Sequence, residues 1–167
     1  MKKLFLISVV FFAFAMGAYS QSATTSASAS AVIIAPLTIT RVADLHFGTI
    51  MRSAVAGTVS VAATDGTRSA AGGVTLSALA PVHARAQFTV EGESGRTYGI
   101  TLPTTDIIIT NVTSDEMEVN TFVSDPSGTG TITAGTSTLY VGATLQVDAN
   151  QASGAYTGTF NVTVNYN

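Results

Sequence analysis

Cysteine is absent from all 167 residues, and so is tryptophan. Without cysteine there is no disulfide to staple a small core, no thiolate metal site and no thiol nucleophile. Lysine occurs only at Lys2 and Lys3. The remainder therefore has no amine for a Lys–Asn isopeptide cross-link. Charged residues make up 10% of the chain against 46% hydrophobic ones, which excludes the polar composition of a disordered protein. Basic patches are missing too, and nucleic acid is not an expected partner. Histidine is limited to His46 and His83, with no acid clustered beside either in sequence. No G-x-S-x-G elbow, phosphate-cradling loop or H-E-x-x-H pair occurs. These absences predict no catalytic residue, no metal ligand set and no cofactor, and place an enzyme last among the readings.

What is present begins with a leader. Lys2 and Lys3 precede an apolar run from Leu4 to Met16, and small residues follow, with Ala18 and Ser20 at the −3 and −1 places. That pattern predicts a cleaved signal peptide over residues 1–20 and export to the periplasm, cell surface or medium. The apolar run is short for a membrane span, and no second one follows. After Ser20, five arginines face ten acids, a formal charge of −5 that favours solubility.

Residues 21–35 are rich in Ala, Ser and Thr and end in Val32, Ile33 and Ile34. They read as an N-terminal extension, either a linker or an edge or donor strand. Residues 36–167 read as one domain of short strands. Alternation of apolar and polar residues marks strands near 37–42, 45–50, 57–63, 74–76, 87–91, 98–102, 117–121 and 139–147. Ile107–Ile109 reads as a short buried strand. Phe122 begins a change of side, and Gly142 marks a bulge. Asp65-Gly66, Glu91–Gly95 and Asp125–Gly128 carry turn chemistry. No segment after the leader has a helical period. Nine or ten short strands at this spacing predict an all-β antiparallel sandwich or barrel.

The strongest alternation lies at the end. Tyr156, Gly158, Phe160, Val162, Val164 and Tyr166 fall on one face of an extended segment running from Gly154 to Asn167, and Thr and Asn residues fall on the other. Such a strand needs a sheet to lie on. Two acidic clusters, Glu91-x-Glu93 and Asp115-Glu116-x-Glu118, read as solvated turns rather than a calcium site. The triplets Asn111-Val112-Thr113 and Asn161-Val162-Thr163 match the glycosylation pattern by chance.

Three segments carry a family likeness. Leu45-His46-Phe47-Gly48-Thr49-Ile50 resembles the early L-x-F-G segment of the spore coat protein U family and of archaic chaperone–usher pilins. Tyr98-Gly99-Ile100-Thr101-Leu102 resembles their central Y-x-I-x-L strand, and Asn150–Thr159 their closing Q-x-x-G-x-Y approach. Gly154 together with the penultimate Tyr166 is similar to the end signature of chaperone–usher pilins. The chain resembles still more a bacterial family of exported domains of unknown function.

The resemblance implies an immunoglobulin-like β-sandwich with a fimbrial or adhesive role, assembled by strand pairing. Val32 and Ile34 would belong to a donor segment, Gln21–Ile34. Gly154, Tyr156, Phe160, Val162, Val164 and Tyr166 would border the accepting groove. The implied partners are a second copy of the chain, or a periplasmic chaperone and an usher. The alternatives are a stand-alone glycan- or protein-binding sandwich and a small outer-membrane barrel.

Overall fold

The computed structural model describes residues 21–167, so the leader expected over residues 1–20 lies outside the described residues. Two compact units divide the chain, Met1–Val32 and Ile33–Asn167. The described part of the first, residues 21–32, is exposed and without regular secondary structure. The second unit holds twelve strands, and no helix occurs among the described residues.

The strands are β1 (Thr38–Ala43), β2 (Ile50–Met51), β3 (Gly57–Val61), β4 (Arg68–Gly72), β5 (Thr75–Leu76) and β6 (Ala86–Glu91). They continue with β7 (Thr97–Thr101), β8 (Ile107–Thr110), β9 (Glu116–Asp125), β10 (Thr129–Thr131), β11 (Thr136–Val147) and β12 (Thr163–Tyr166). All pairings are antiparallel. The expected all-β antiparallel sandwich is therefore the architecture, curled rather than flat.

β11 is the hub. Its first half, Thr136–Val141, pairs β6, and its second half, Ala143–Val147, pairs β3 on the same side. β9 lies along the opposite side, with Tyr140 facing Asp125 and Leu145 facing Val119. β1 extends the sheet beyond β6, β4 extends it beyond β3, and β8 extends it beyond β9. A three-stranded sheet, β10-β7-β12, and the small pair β2-β5 complete the fold.

Two apolar clusters fill the interior. One gathers Val90, Tyr98, Ile132, Leu139 and Val141, fringed by residues of β1, β7 and β12. The other gathers Val59, Met117, Val119, Leu145 and Val147, fringed by Phe47, Ile50, Val74 and Leu76. Alternation on β11 explains both: Leu139, Val141, Ala143, Leu145 and Val147 share one buried face along its whole length.

Several local expectations change. The bulge is not in β11, which runs unbroken past Gly142. The pairings Gly142↔Val123 and Thr144↔Asn120 leave Thr121 and Phe122 both opposite Ala143, so the extra residue is on β9. Thr121 takes a left-handed φ of 49°, and the apolar side of β9 shifts from Met117 and Val119 to Phe122. Gly142 serves a different need. A Cβ there would stand 2.1 Å from the Val61 carbonyl oxygen, where β3 replaces β6 beside β11.

The 45–50 segment is not a strand beyond a single bridge, His46↔Ala84, and the start of β2. Its carbonyls are claimed by a side chain instead. Arg68 Nη1 donates to Phe47 O (2.9 Å) and Thr49 O (3.2 Å), and Nη2 donates to Ser77 O (2.7 Å). β8 is not buried on both faces either. It is the sheet's edge, and Ile108 is 43% exposed.

Candidate functional site

The terminal segment is part sheet and part crossing ribbon. Only Thr163–Tyr166 forms a strand, shorter than the Gly154–Asn167 strand that alternation predicts. Further back, Thr157 makes an isolated bridge to Thr110 at the end of β8, with Thr110 N to Thr157 O at 3.0 Å and Thr157 N to Thr110 O at 2.9 Å. Between these anchors the chain passes from one apolar cluster to the other. Tyr156 packs on the Val59–Leu145 cluster, whereas Phe160, Val162, Val164 and Tyr166 pack on the Tyr98–Leu139 cluster. The ring centroids of Phe160 and Phe122 are 5.0 Å apart. The alternation itself holds, with the apolar residues half-buried and Thr157, Thr159, Asn161, Thr163 and Asn165 exposed.

β12 pairs β7 on one side and has no strand on the other. The direction of each backbone group follows from one bond. Asn167 N donates to Thr97 O at 3.2 Å, within the register that matches Asn165 to Gly99 and Thr163 to Thr101. In an antiparallel ladder such mutually bonded pairs recur at every second residue. Thr163, Asn165 and Asn167 therefore aim their N–H and C=O groups at β7. Val164 and Tyr166 aim theirs away, and neither has a backbone partner among the described residues. The residues whose side chains face the core thus carry the unpaired main chain.

A second free edge belongs to β1. Gly92 N donates to Gly135 O at 3.1 Å, which assigns Glu91 and Thr89 of β6 to the ladder with β1. Thr38 and Thr40 bond β6, so Ile39 turns its backbone outward. Leu37, Ile39, Val164 and Tyr166 fringe the same apolar cluster.

Tyr166 closes one end of this region. Its hydroxyl donates to Ala35 O (2.9 Å) and accepts from Glu93 N (2.7 Å). Glu93 Oε2 accepts from Ala35 N at 3.0 Å. Gly92 makes room, since a Cβ there would stand 2.3 Å from the Tyr166 hydroxyl oxygen. The chain just before Ala35 is exposed: Ile34 at 40% and Ile33 at 95%.

The eight residues that sequence and resemblance single out do not form one site. Val164 and Tyr166 lie on the open edge of β12, and Phe160 and Val162, just before that strand, pack on the same cluster. Tyr156 lies apart, donating its hydroxyl to Ala152 O (2.8 Å) and accepting from Gln151 Nε2 (2.9 Å). Gly154 rests against Asn111, whose Cβ would be 3.3 Å from a Cβ on that glycine. Ile34 precedes the Ala35 clamp. Val32, 82% exposed, falls in the first unit. Sequence reasoning missed Ala35, Gly92 and Glu93, because contacts across such separations leave no local pattern.

Asn111 is only 8% exposed. Its Nδ2 donates to Asp115 Oδ2 (2.9 Å), and its Oδ1 accepts from Thr113 N and Asp115 N (both 2.9 Å). That amide is committed to the turn. The Thr113 hydroxyl, and then the Asn111 amide, hold the Asp115 carboxyl below the usual carboxylate range. Neither histidine side chain bonds an acid among the described residues, and no group of three His, Cys, Asp or Glu stands ready for a metal ion there. No helix of the described residues is long and apolar enough to cross a membrane.

The comparisons add one match. The model of a family described as a domain of unknown function, DUF4402, matches residues 37–166. Neither the curated proteins nor the solved structures contain a match. The matched span runs from the strand beside the Ala35 clamp to Tyr166 itself, and so covers both free edges: the chain belongs to the DUF4402 family.

Proposed function

We propose that this chain is an exported structural or adhesive subunit of the cell surface, pilin-like in its mode of action, working through β-strand pairing rather than chemistry. The observation that supports this is the outer edge of β12, where Val164 and Tyr166 present unpaired N–H and C=O groups above half-buried side chains. Soluble proteins blunt such edges with charge, proline or bulges, because any extended peptide can pair with them. β12 carries none of these devices. A strand laid along it would gain main-chain bonds at alternate residues and place its own alternate side chains over the cluster that Phe160, Val162 and Val164 fringe.

The natural occupant is an extended segment such as Gln21–Ile34 of a second copy. A periplasmic chaperone and an usher would shield the edge in transit. The resemblance to spore coat protein U and archaic pilins points the same way, and the leader at residues 1–20 would deliver the chain across the inner membrane.

Val164→Pro tests the edge directly. It deletes an N–H that faces away from β7, a place where strands admit proline. The purified chain should form oligomers that survive mild detergent. Val164→Pro, and separately deletion of residues 21–31, should leave monomers with an unchanged β-sheet circular dichroism spectrum. Oligomers that persist in both variants, or a parent chain that is monomeric at all concentrations, would overturn the reading.

A further inference from the structure

A shallow depression of about 270 Å³ lies where β3, β9 and β11 meet, beside the Thr121 bulge. Ala62 and Val123 contribute its apolar side chains, while Val61 and Ala143, whose side chains face the core, line it with backbone. Hydroxyls surround it from three directions: Ser60 on β3, Thr144 on β11 and Thr121 on β9, with Thr64 and Thr67 on the connecting turn. Ser60 Oγ and Thr144 Oγ1 are 2.8 Å apart and share one proton, which leaves the pair one free donor and spare lone pairs. Asp65 adds the one charged group. Its Oδ1 accepts from Thr67 N at 2.8 Å, and that bond and the Thr67 hydroxyl hold the carboxyl below its ordinary range.

The wall that carries Asp65 is held in place. Arg85 Nη1 donates to Ala63 O (2.5 Å) and to Thr64 O, and its guanidinium sits 3.4 Å above the centroid of the Tyr140 ring. No lysine or arginine lines the depression. The backbone at Thr121, with its φ of 49°, is a strained conformation for a threonine. Strain of this kind gathers at binding sites.

The chemistry selects a ligand class. One carboxylate without a free cation disfavours anions such as phosphate. A single carboxylate is also too few ligands for calcium. What remains is a molecule with many hydroxyls along its edge and a C–H face, which would lie on the apolar lining while its hydroxyls meet the rim. The volume sits just under the range of about 300–1,000 Å³ for drug-sized sites, so it admits one ring rather than a chain. We propose that this depression binds a neutral sugar ring, as a terminal or single exposed unit of a glycan. The proposal does not depend on strand pairing, because the depression and β12 share no residue.

The test is a titration of the isotope-labelled full chain with glucose, galactose, mannose and N-acetylglucosamine in turn, followed by amide chemical shifts. At least one sugar should give saturable shifts at Ser60, Thr67, Thr121 and Thr144, with a dissociation constant on the order of 1 mM. Asp65→Asn keeps the acceptor for Thr67 N but removes the charge. It should weaken binding on the order of tenfold, with the rest of the spectrum unchanged. Thr144→Val should weaken the same sugar and shift only neighbouring amides. Shifts that never saturate, that scatter over the surface, or that are as large in both variants as in the parent chain overturn the proposal. Failure here leaves the oligomers of the parent chain untouched, so the two readings fall separately.

Discussion

β11 and the terminal ribbon have the same alternating pattern and opposite positions. β11 has β6 and β3 on one side and β9 on the other, and its apolar residues are excluded from water. The ribbon has β7 on one side, a bridge to β8 further back, and apolar residues that are only half-buried. Alternation sets which face is apolar; the number of neighbours sets how deeply that face is buried and how many backbone groups remain unpaired. A strand that is alternating and apolar yet sits at an edge has bonding capacity left over, and that capacity is what the proposed function uses.

The largest expected contrast is in stability. Leu139 is fully buried on β11, and Leu139→Ala should cost about 2–5 kcal/mol in chemical denaturation. Val164→Ala removes part of a side chain that is half-exposed already and should cost about 1 kcal/mol. Equal costs would mean that the terminal strand is as central as β11, and the comparison would break.

Backbone groups give the next contrast. Asn165 bonds β7 whereas Val164 does not, so Asn165→Pro should detach β12 and lower the melting temperature more than Val164→Pro does. Hydrogen exchange on the monomer sharpens this. Asn165 should be protected and Val164 should exchange quickly, whereas neighbouring amides in the doubly flanked part of β11, Ala143–Leu145, should be protected alike. Uniform protection along β12 in the monomer would mean that its outer edge is already filled.

Much of the fold is legible in sequence because inward residues are mostly apolar and outward ones mostly polar. β3, β6, β7, β9 and β11 all follow this rule. β4, Arg-Ser-Ala-Ala-Gly, does not, because small residues give no contrast between its faces. It is a strand only because β3 lies beside it. The 45–50 segment fails in the opposite sense. Leu45 and Phe47 alternate well, but Gly48 takes a φ of 75°, and Arg68 bonds the Phe47 and Thr49 carbonyls from the side. The open edge is illegible for a related reason: a missing neighbour is a property of the assembled sheet. Its terminal residues could be named from their alternation, but the Tyr166–Ala35–Glu93 clamp joins positions as far as 131 residues apart.

That clamp predicts a smaller effect. Tyr166→Phe deletes a hydroxyl that serves Ala35 O and Glu93 N, and should cost about 1 kcal/mol. The loss should appear as faster exchange at Glu93 and as greater protease access near Ile33–Ala35, with β11 unchanged. Gly92→Ala should give the same phenotype from the other side, because its new methyl would displace the tyrosine.

The smallest effect concerns the ribbon's other anchor. Gly154 rests on Asn111, and Thr157 bridges Thr110, so the turn from Asn111 to Asp115 supports the ribbon where β12 cannot. The Asp115 carboxyl is held below its ordinary value by the Thr113 hydroxyl and the Asn111 amide. A carboxyl with a lowered folded pKa stabilises the fold fully above its unfolded value, about 3.9, and that contribution is lost as pH falls through the folded value. Acid should therefore loosen the ribbon at Gly154 and Thr157 before it disturbs β11, seen as amide shifts that move below about pH 4. Asp115→Asn should abolish that response, whereas Asp65→Asn, in the turn between β3 and β4, should not. A pH response of equal size in both variants would show that Asp115 is not the group through which acid loosens the ribbon.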